Sequence, residues 1–401
     1  MTPRRAAWLV VVLVAVACRE PATRQGDAER VPLPAEKTAA PASAKAAPPR
    51  GDDETPPVRK DGTVYAESEL MGTRVSINVW AGPPEQADAA AAGQAIREAF
   101  AEMVRLEGIM SEWQPDSELS RLSDAAGGEP QRLSPELLEV LQRSREIAED
   151  TDGAFDPTFH AVGQLWSFKP GAKPPSAETI ASKLALVGWQ GIELDEATGT
   201  GRLAKPGMKL GLGAIGKGYA ADKVSQLLVR KGFPNHVVEL GGDTYAAGTK
   251  GGKPWVVGIQ RPDGPGVVGA IPVTDRSVVT SGDYQRFFEY EGKKYAHIID
   301  PKTGWPVPAE RSPKSVTLVA KNGTDADAYC TAVAVMGVDA GFEFAEAHEG
   351  LEVVIITQDD ELKVTSGLRD VLVWPGSPSA DPEGEPEPSR TGRVDGEAQL
   401  P

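Results

Sequence analysis

Two segments of this 401-residue chain bring together residue types that can do chemistry. Lys294 to Pro306 reads KYAHIIDPKTGWP, which sets an isolated His297 beside backbone that Pro301 and Gly304 force to turn. From Asp327 the chain reads DAYCT, so that on a helix the Asp327 carboxylate and the Thr331 hydroxyl, four residues apart, share one face. Hard oxygen donors of this kind suit Mg2+, which keeps several waters and shares its shell with substrate phosphate. A histidine beside such a centre is a candidate base, with Asp327 the second candidate. Each residue also has a plain structural reading. His297 can be a satisfied residue in a β-rich stretch, Asp327 a charge favoured near a helix N-terminus, and Thr331 a hydroxyl bonded back to a carbonyl.

A third segment, KLGLGAIGKGYAAD (Lys209 to Asp222), admits several readings. Gly211, Gly213 and Gly216 satisfy G-x-G-x-x-G with a strand-like run before them, a helix expected over Tyr219 to Arg230 and Glu239 closing the next strand, the outline of a dinucleotide fold. The same letters approach a phosphate-binding P-loop, except that Gly218 stands where Ser or Thr must reach Mg2+. Under either reading, free N–H groups and Lys217 at a helix start favour an anionic ligand. A tight turn packed against a sheet remains the structural alternative.

The elements that must position these residues alternate irregularly. Glu67 to Trp80 places Val75, Ile77 and Val79 on one face of a strand, and Pro83 to Glu107 carries Ile96, Phe100 and Val104 at helical spacing. Ser134-Pro135 opens another helix with an N-cap and a first-turn proline. Strand-like pieces follow at His236 to Leu240, Trp255 to Gln260 and Val353 to Thr357. Strands that do not alternate strictly with helices predict an α+β domain.

The ends of the chain read differently. Arg4 and Arg5 precede an apolar run from Ala6 to Ala17, a secretory signal over residues 1–17, and Ala15-Val16-Ala17-Cys18 is similar to a bacterial lipobox in which Cys18 becomes acylated. Ordinary cleavage after Ala17 is the alternative. Residues 18–61 read as an Ala- and Pro-rich tether and residues 376–401 as an acidic Pro- and Gly-rich tail. Between them, 62–375 holds roughly 310 residues, enough for one large domain or two merged lobes. Cys330 is the only other cysteine, so no disulfide framework is expected. A formal net charge of −16 argues against nucleic acid, because no basic surplus exists to displace its counterions.

Further segments extend the pattern: Met71-Gly72-Thr73, MSEWQPDSELSRL (Met110 to Leu122), GAFDPT (Gly153 to Thr158), ELGGDTYAAG (Glu239 to Gly248) and TSGDYQR (Thr280 to Arg286). With the glycine turn, HIIDP and DAYCT, in this order and at these intervals, they resemble the ApbE family of FAD:protein FMN transferases of bacterial envelopes. The resemblance runs from about Thr63 to about Leu372. It implies a single domain of two merged lobes with FAD in the cleft between them. It also implies a lipid-anchored enzyme facing the periplasm that splits the FAD pyrophosphate with Mg2+ and joins FMN to a threonine hydroxyl of another protein, releasing AMP. The targets it implies are membrane redox subunits and flavin-carrying domains, and this chain holds no acceptor stretch of the family's type. Carried over by residue, the resemblance places Met71, Trp113, Ala154, Phe155, Asp156, Lys217, Ile298 and Ile299 along FAD. It gives Mg2+ the Ala214 carbonyl, Asp327 and Thr331, and sets His297 near the scissile phosphate. Taken alone, Trp113 also reads as a core aromatic, Asp156-Pro157 as a turn pair and Gly241-Gly242 as a chain reversal. Two departures stand out. Gly211 replaces a common Asp, which implies one polar contact fewer to FAD. Cys330 replaces an acidic residue of some members, which implies one carboxylate fewer for the metal. A metal-dependent FAD pyrophosphatase and a non-catalytic FAD-binding lipoprotein are the competing functions, with a nicotinamide oxidoreductase more distant.

Overall fold

The computed structural model describes residues 56–169, 171–282 and 287–374. The signal, most of the tether and the tail lie outside them, as do Cys18 and the Asp283 to Arg286 part of TSGDYQR. The chain opens with β1 (Thr63–Leu70), β2 (Thr73–Trp80), α1 (Ala89–Met110), α2 (Glu118–Asp124), β3 (Gln131–Arg132) and α3 (Pro135–Asp150). Then come α4 (His160–Gly163), α5 (Ala177–Leu184), β4 (Ile192–Asp195), β5 (Thr200–Leu203), α6 (Gly216–Arg230), β6 (His236–Leu240) and β7 (Asp243–Ala247). The remainder is β8 (Trp255–Gln260), β9 (Val267–Val273), β10 (Arg276–Gly282), β11 (Phe287–Tyr290), β12 (Lys293–Ala296) and β13 (Ser315–Ala320). It closes with α7 (Gly323–Met336), α8 (Val338–Ala347), β14 (Glu352–Ile356) and β15 (Leu362–Val364).

Eight strands form the central sheet in the order β1-β2-β6-β7-β10-β13-β14-β15, and every neighbouring pair is antiparallel. The sheet is apolar on both faces because its residues alternate. Val238, Val279, Leu318, Val353 and Ile355 join the main core with α1, α6 and α7. Their neighbours Val278, Val319 and Val354 point the other way, into a second core roofed by Trp255 and Ile259 of β8, Ile271 of β9 and Leu368. A third, aromatic cluster joins Val162, Trp166 and Ile180 to Phe288, Tyr295 and Ile299, with the Phe288 and Tyr295 rings stacked at 5.0 Å. The α+β class therefore holds, with the aromatic cluster as a third core beside the other two.

Local departures from the sequence reading have physical causes. Glu67 to Trp80 is two strands, because Met71 and Gly72 both take positive φ, 52° and 71°, and reverse the chain so that Leu70 pairs with Thr73. Helix α1 starts at Ala89, where the Asp88 carboxylate caps the Ala91 N–H, six residues after Pro83. Ser134 caps α3 through the Leu137 N–H as expected. The run before the glycine turn, Met208 to Leu212, is not a strand, and α6 begins at Gly216 rather than Tyr219. With an antiparallel central sheet and no strand feeding the turn, the parallel βαβ unit of a dinucleotide fold is missing among the described residues.

Candidate active site

The site is built where α6 and α7 cross backbone against backbone. A methyl group on Gly218 would overlap the Gly323 carbonyl oxygen, and one on Gly323 would lie 2.5 Å from that of Gly218. Only glycine at both positions lets the helices approach so closely, which explains why position 218 carries no hydroxyl. The crossing is also reciprocally capped. The Gly218 N–H donates to Asp327 Oδ2 at 3.1 Å, while the Gly323 and Thr324 N–H groups donate to Asp222 at 2.7 and 2.9 Å. Each helix thus satisfies orphan donors at the other's first turn.

Lys217 lies between two buried carboxylates. Its ammonium donates to Asp243 Oδ2 and, at 3.2 and 3.4 Å, to both oxygens of Asp327. Asp243 and Asp327 are only 7% and 3% exposed. Burial alone would lower the Lys217 pKa, but the Asp243 and Asp327 carboxylates overcome it and hold the ammonium well above the ordinary lysine range. Burial pushes Asp243 up to about 6, opposed by Lys217 and reinforced by the like charge of Asp327. The backbone of Thr280 also donates to Asp243, tying the described start of TSGDYQR to the cluster. Two carboxylates around one ammonium leave a net negative charge in a buried place.

That donor set fits a small hard dication. Thr331 lies one turn beyond Asp327 on α7, half-buried, and Ala214, also half-buried, lies in the turn before α6. Cys330, fully buried, turns its thiol toward the carbonyls of Val279 and Val316 in the sheet, and burial pushes its pKa up to about 12. The thiol also feels the Asp243 and Asp327 carboxylates, which places it beside the cluster. Among the described residues no group of three or more His, Cys, Asp or Glu side chains converges as a ready-made metal cage. A dication here would depend on hydroxyl, carbonyl and phosphate oxygens as well, which is how Mg2+ is commonly held.

The residues expected along FAD lie on several turns, some of them linked by direct contacts. Met71, at the β1–β2 reversal, donates its N–H to Glu107 of α1 at 3.2 Å. Trp113 is 65% exposed, which removes the core-aromatic reading, and it meets His160 edge-on at 5.5 Å. A side chain at Gly211 would lie 2.9 Å from the Cβ of His160, so this imidazole fills the space that an acidic residue would need. Burial, and secondarily Lys209, pull the His160 pKa down to about 4 and keep the ring neutral. The Gly211 N–H reaches back to the Pro157 carbonyl at 2.8 Å, joining GAFDPT to the glycine turn. Ala154 and Phe155 are buried there, and the Phe155 N–H bonds Thr151. Asp156 spends its carboxylate locally, on the Thr158 N–H and hydroxyl at 2.8 and 2.6 Å and on the Trp189 N–H at 3.0 Å.

His297 follows β12 and meets the Phe168 ring edge-on at 6.3 Å, at the edge of the aromatic cluster. Ile298 belongs to the main core and Ile299 to the aromatic one, so this strand-like stretch sews the two together. Asp327 is not a first-turn helix charge; Asp325 holds that position, paired with Arg143 at 2.7 Å. Asp243 was missed as a site residue. Its one sequence signal is an acid placed between Gly241-Gly242 and an apolar strand, where a buried charge needs a partner.

An antiparallel α+β domain with an ammonium and two buried carboxylates at a helix N-terminus has the donor types that could hold phosphate and a cation. The ApbE family profile matches residues 71–355, and the chain belongs to the ApbE family. It is 35% identical over 324 residues to a FAD:protein FMN transferase of Treponema pallidum, across 76% of this chain and 88% of that one. It is 30% identical over 313 residues to one from Klebsiella pneumoniae, across 77% and 94%. Among solved structures it is similar to the ApbE protein of Thermotoga maritima, with a TM-score of 0.69 at 29% identity over 77% of this chain and 99% of that one. The flavin transferase ApbE of Vibrio cholerae gives 0.68 at 30% identity over the same shares.

Proposed function

We propose that this chain is a FAD:protein FMN transferase, with FAD in the cleft between its lobes. The observation that carries this reading is Lys217 between Asp243 and Asp327 in a chain whose curated relatives bear that name. The acceptor is a threonine hydroxyl of a partner protein, whose oxygen attacks the FMN phosphorus. The phosphoester forms as the pyrophosphate bond breaks, and AMP leaves. Lys217 offsets the pyrophosphate charge. His297 takes the acceptor proton, with Asp327 the second candidate. Trp113 offers an exposed indole face for ring stacking, while Met71, Ala154, Phe155, Ile298 and Ile299 shape the walls and Asp156 holds its turn. The Ala214 carbonyl, Asp327 and Thr331 would hold Mg2+, which supplies charge stabilisation on the phosphates.

The test is AMP release from FAD and covalent flavin fluorescence on an acceptor domain, comparing wild type with Asp327→Ala. Acceptor-dependent AMP that is lost in the variant supports the transferase. AMP with free FMN regardless of acceptor makes the protein a pyrophosphatase, and FAD binding without AMP makes it a binding lipoprotein. Envelope location through acylated Cys18 is part of the proposal. Lipid labelling that persists in Cys18→Ala, or a protein found outside the membrane fraction, would refute it.

A further inference from the structure

We propose that Asp243 is a positioning residue that draws the Lys217 ammonium off Asp327, so that the Asp327 carboxylate can receive the dication. The inference rests on the reading of Asp327 as a metal ligand. Lys217 is the tie between the two acids, and its contact with Asp243 is the shorter one, against 3.2 and 3.4 Å to Asp327. Asp243 is also the better anchored of the pair. It opens β7 directly after the Gly241-Gly242 turn, and β7 is hydrogen-bonded between β6 and β10 inside the central sheet. The turn itself is fixed: the Gly241 N–H bonds the Arg74 carbonyl at 2.9 Å, and a side chain there would overlap the Thr73 hydroxyl.

Asp327 sits instead on α7, across the glycine crossing, with the Gly218 N–H as its other donor at 3.1 Å. A dication arriving at Asp327 must displace an ammonium or share the carboxylate with it, and like charges resist sharing. With Asp243 present the ammonium keeps a full counter-charge when it yields Asp327. Without Asp243 its only carboxylate in this cluster is Asp327, and lysine and metal compete for one group.

The competition gives a signature that a structural role does not. Mg2+ binding is measured by titration calorimetry on the full chain, with and without FAD, for wild type, Asp243→Asn, Asp243→Glu and the double variant Asp243→Asn with Lys217→Met. Circular dichroism confirms folding. We expect Asp243→Asn to weaken Mg2+ binding about tenfold, the size of coupling seen between groups in contact. Asp243→Glu should recover most of the loss, and so should removal of the competing ammonium in the double variant. Unchanged Mg2+ affinity in Asp243→Asn overturns the proposal. So does a loss that Lys217→Met fails to relieve, or a wild type that takes up no Mg2+ under either condition. Because the readout is metal uptake, a wild type that binds Mg2+ in this pattern but transfers no flavin would sink the transferase reading and leave this inference standing.

Discussion

Helix α6 carries two buried polar clusters built on opposite plans. At its first turn Lys217 reaches two carboxylates from different elements, and the charges do not cancel. Further along, Ser225 meets His236 of β6, whose Nε2 lies 2.8 Å from the hydroxyl and whose Nδ1 lies 2.8 Å from the Phe233 carbonyl. There the accounts close. Burial lowers the His236 pKa to about 4, so the ring stays neutral with both nitrogens engaged. Asp222, between them, is a carboxylate of the saturated kind: it accepts from the Gly323 N–H, the Thr324 N–H and the Thr324 hydroxyl. A buried polar group satisfied by nearby backbone and hydroxyls holds the fold. One that relies chiefly on a long flexible cation, with a single backbone donor beside it, keeps capacity for a ligand.

The contrast breaks first at Lys217. Lys217→Met leaves two buried carboxylates without their cation, at a cost of about 3–5 kcal/mol, and should reduce flavin transfer on the order of a hundredfold or more. Thermal melts should show added Mg2+ restoring part of the lost stability; equal melts with and without metal would deny that the cluster holds one.

At the neutral cluster the expected effect is on acid stability. The folded pKa of His236, about 4, lies below its ordinary 6.5, so the unfolded chain takes up the proton first. The contribution is therefore intact above 6.5 and lost as pH falls through 6.5 toward 4, in total about 3 kcal/mol. Urea melts between pH 7 and 4.5 should show this slope flattened in His236→Gln, with transfer at pH 7.5 unchanged.

Asp222→Ala uncaps α7 and should cost about 2 kcal/mol, read from the shift in urea midpoint. A variant as stable as wild type would show that the reciprocal cap is dispensable. The smallest stability change is expected at Trp113→Ala, within about 0.5 kcal/mol because the ring is exposed. Its KM for FAD should nonetheless rise about tenfold, the scale of one ring-stacking contact; an unchanged KM would remove Trp113 from the site.

Much of this was readable before the structure. Strands β6 and β8 fall on the strand-like pieces His236 to Leu240 and Trp255 to Gln260, and Ser134-Pro135 marks the start of α3 to the residue. The β1–β2 hairpin was hidden because its reversal uses a methionine at positive φ, and alternation through Val75, Ile77 and Val79 gives no notice of the break at Met71-Gly72 just before it. The glycine segment misled for a similar reason: glycines that let two helices touch spell the same letters as glycines that cradle a dinucleotide. In the candidate site, the shared face of Asp327 and Thr331 was legible because helical period links them. Asp243 was not, since no spacing relates it to residues 217 and 327; only the tertiary crossing does.

The reciprocal caps at Gly218 and Gly323 have a dynamic consequence. Neither first turn can fray without stripping an acceptor's partner from the other, so α6 and α7 should open together as one cooperative unit. Amide hydrogen exchange at Gly218 and Gly323 should then report a single opening free energy, and a ligand gripping Asp327 should slow both amides equally, one of them on a helix start that it never touches.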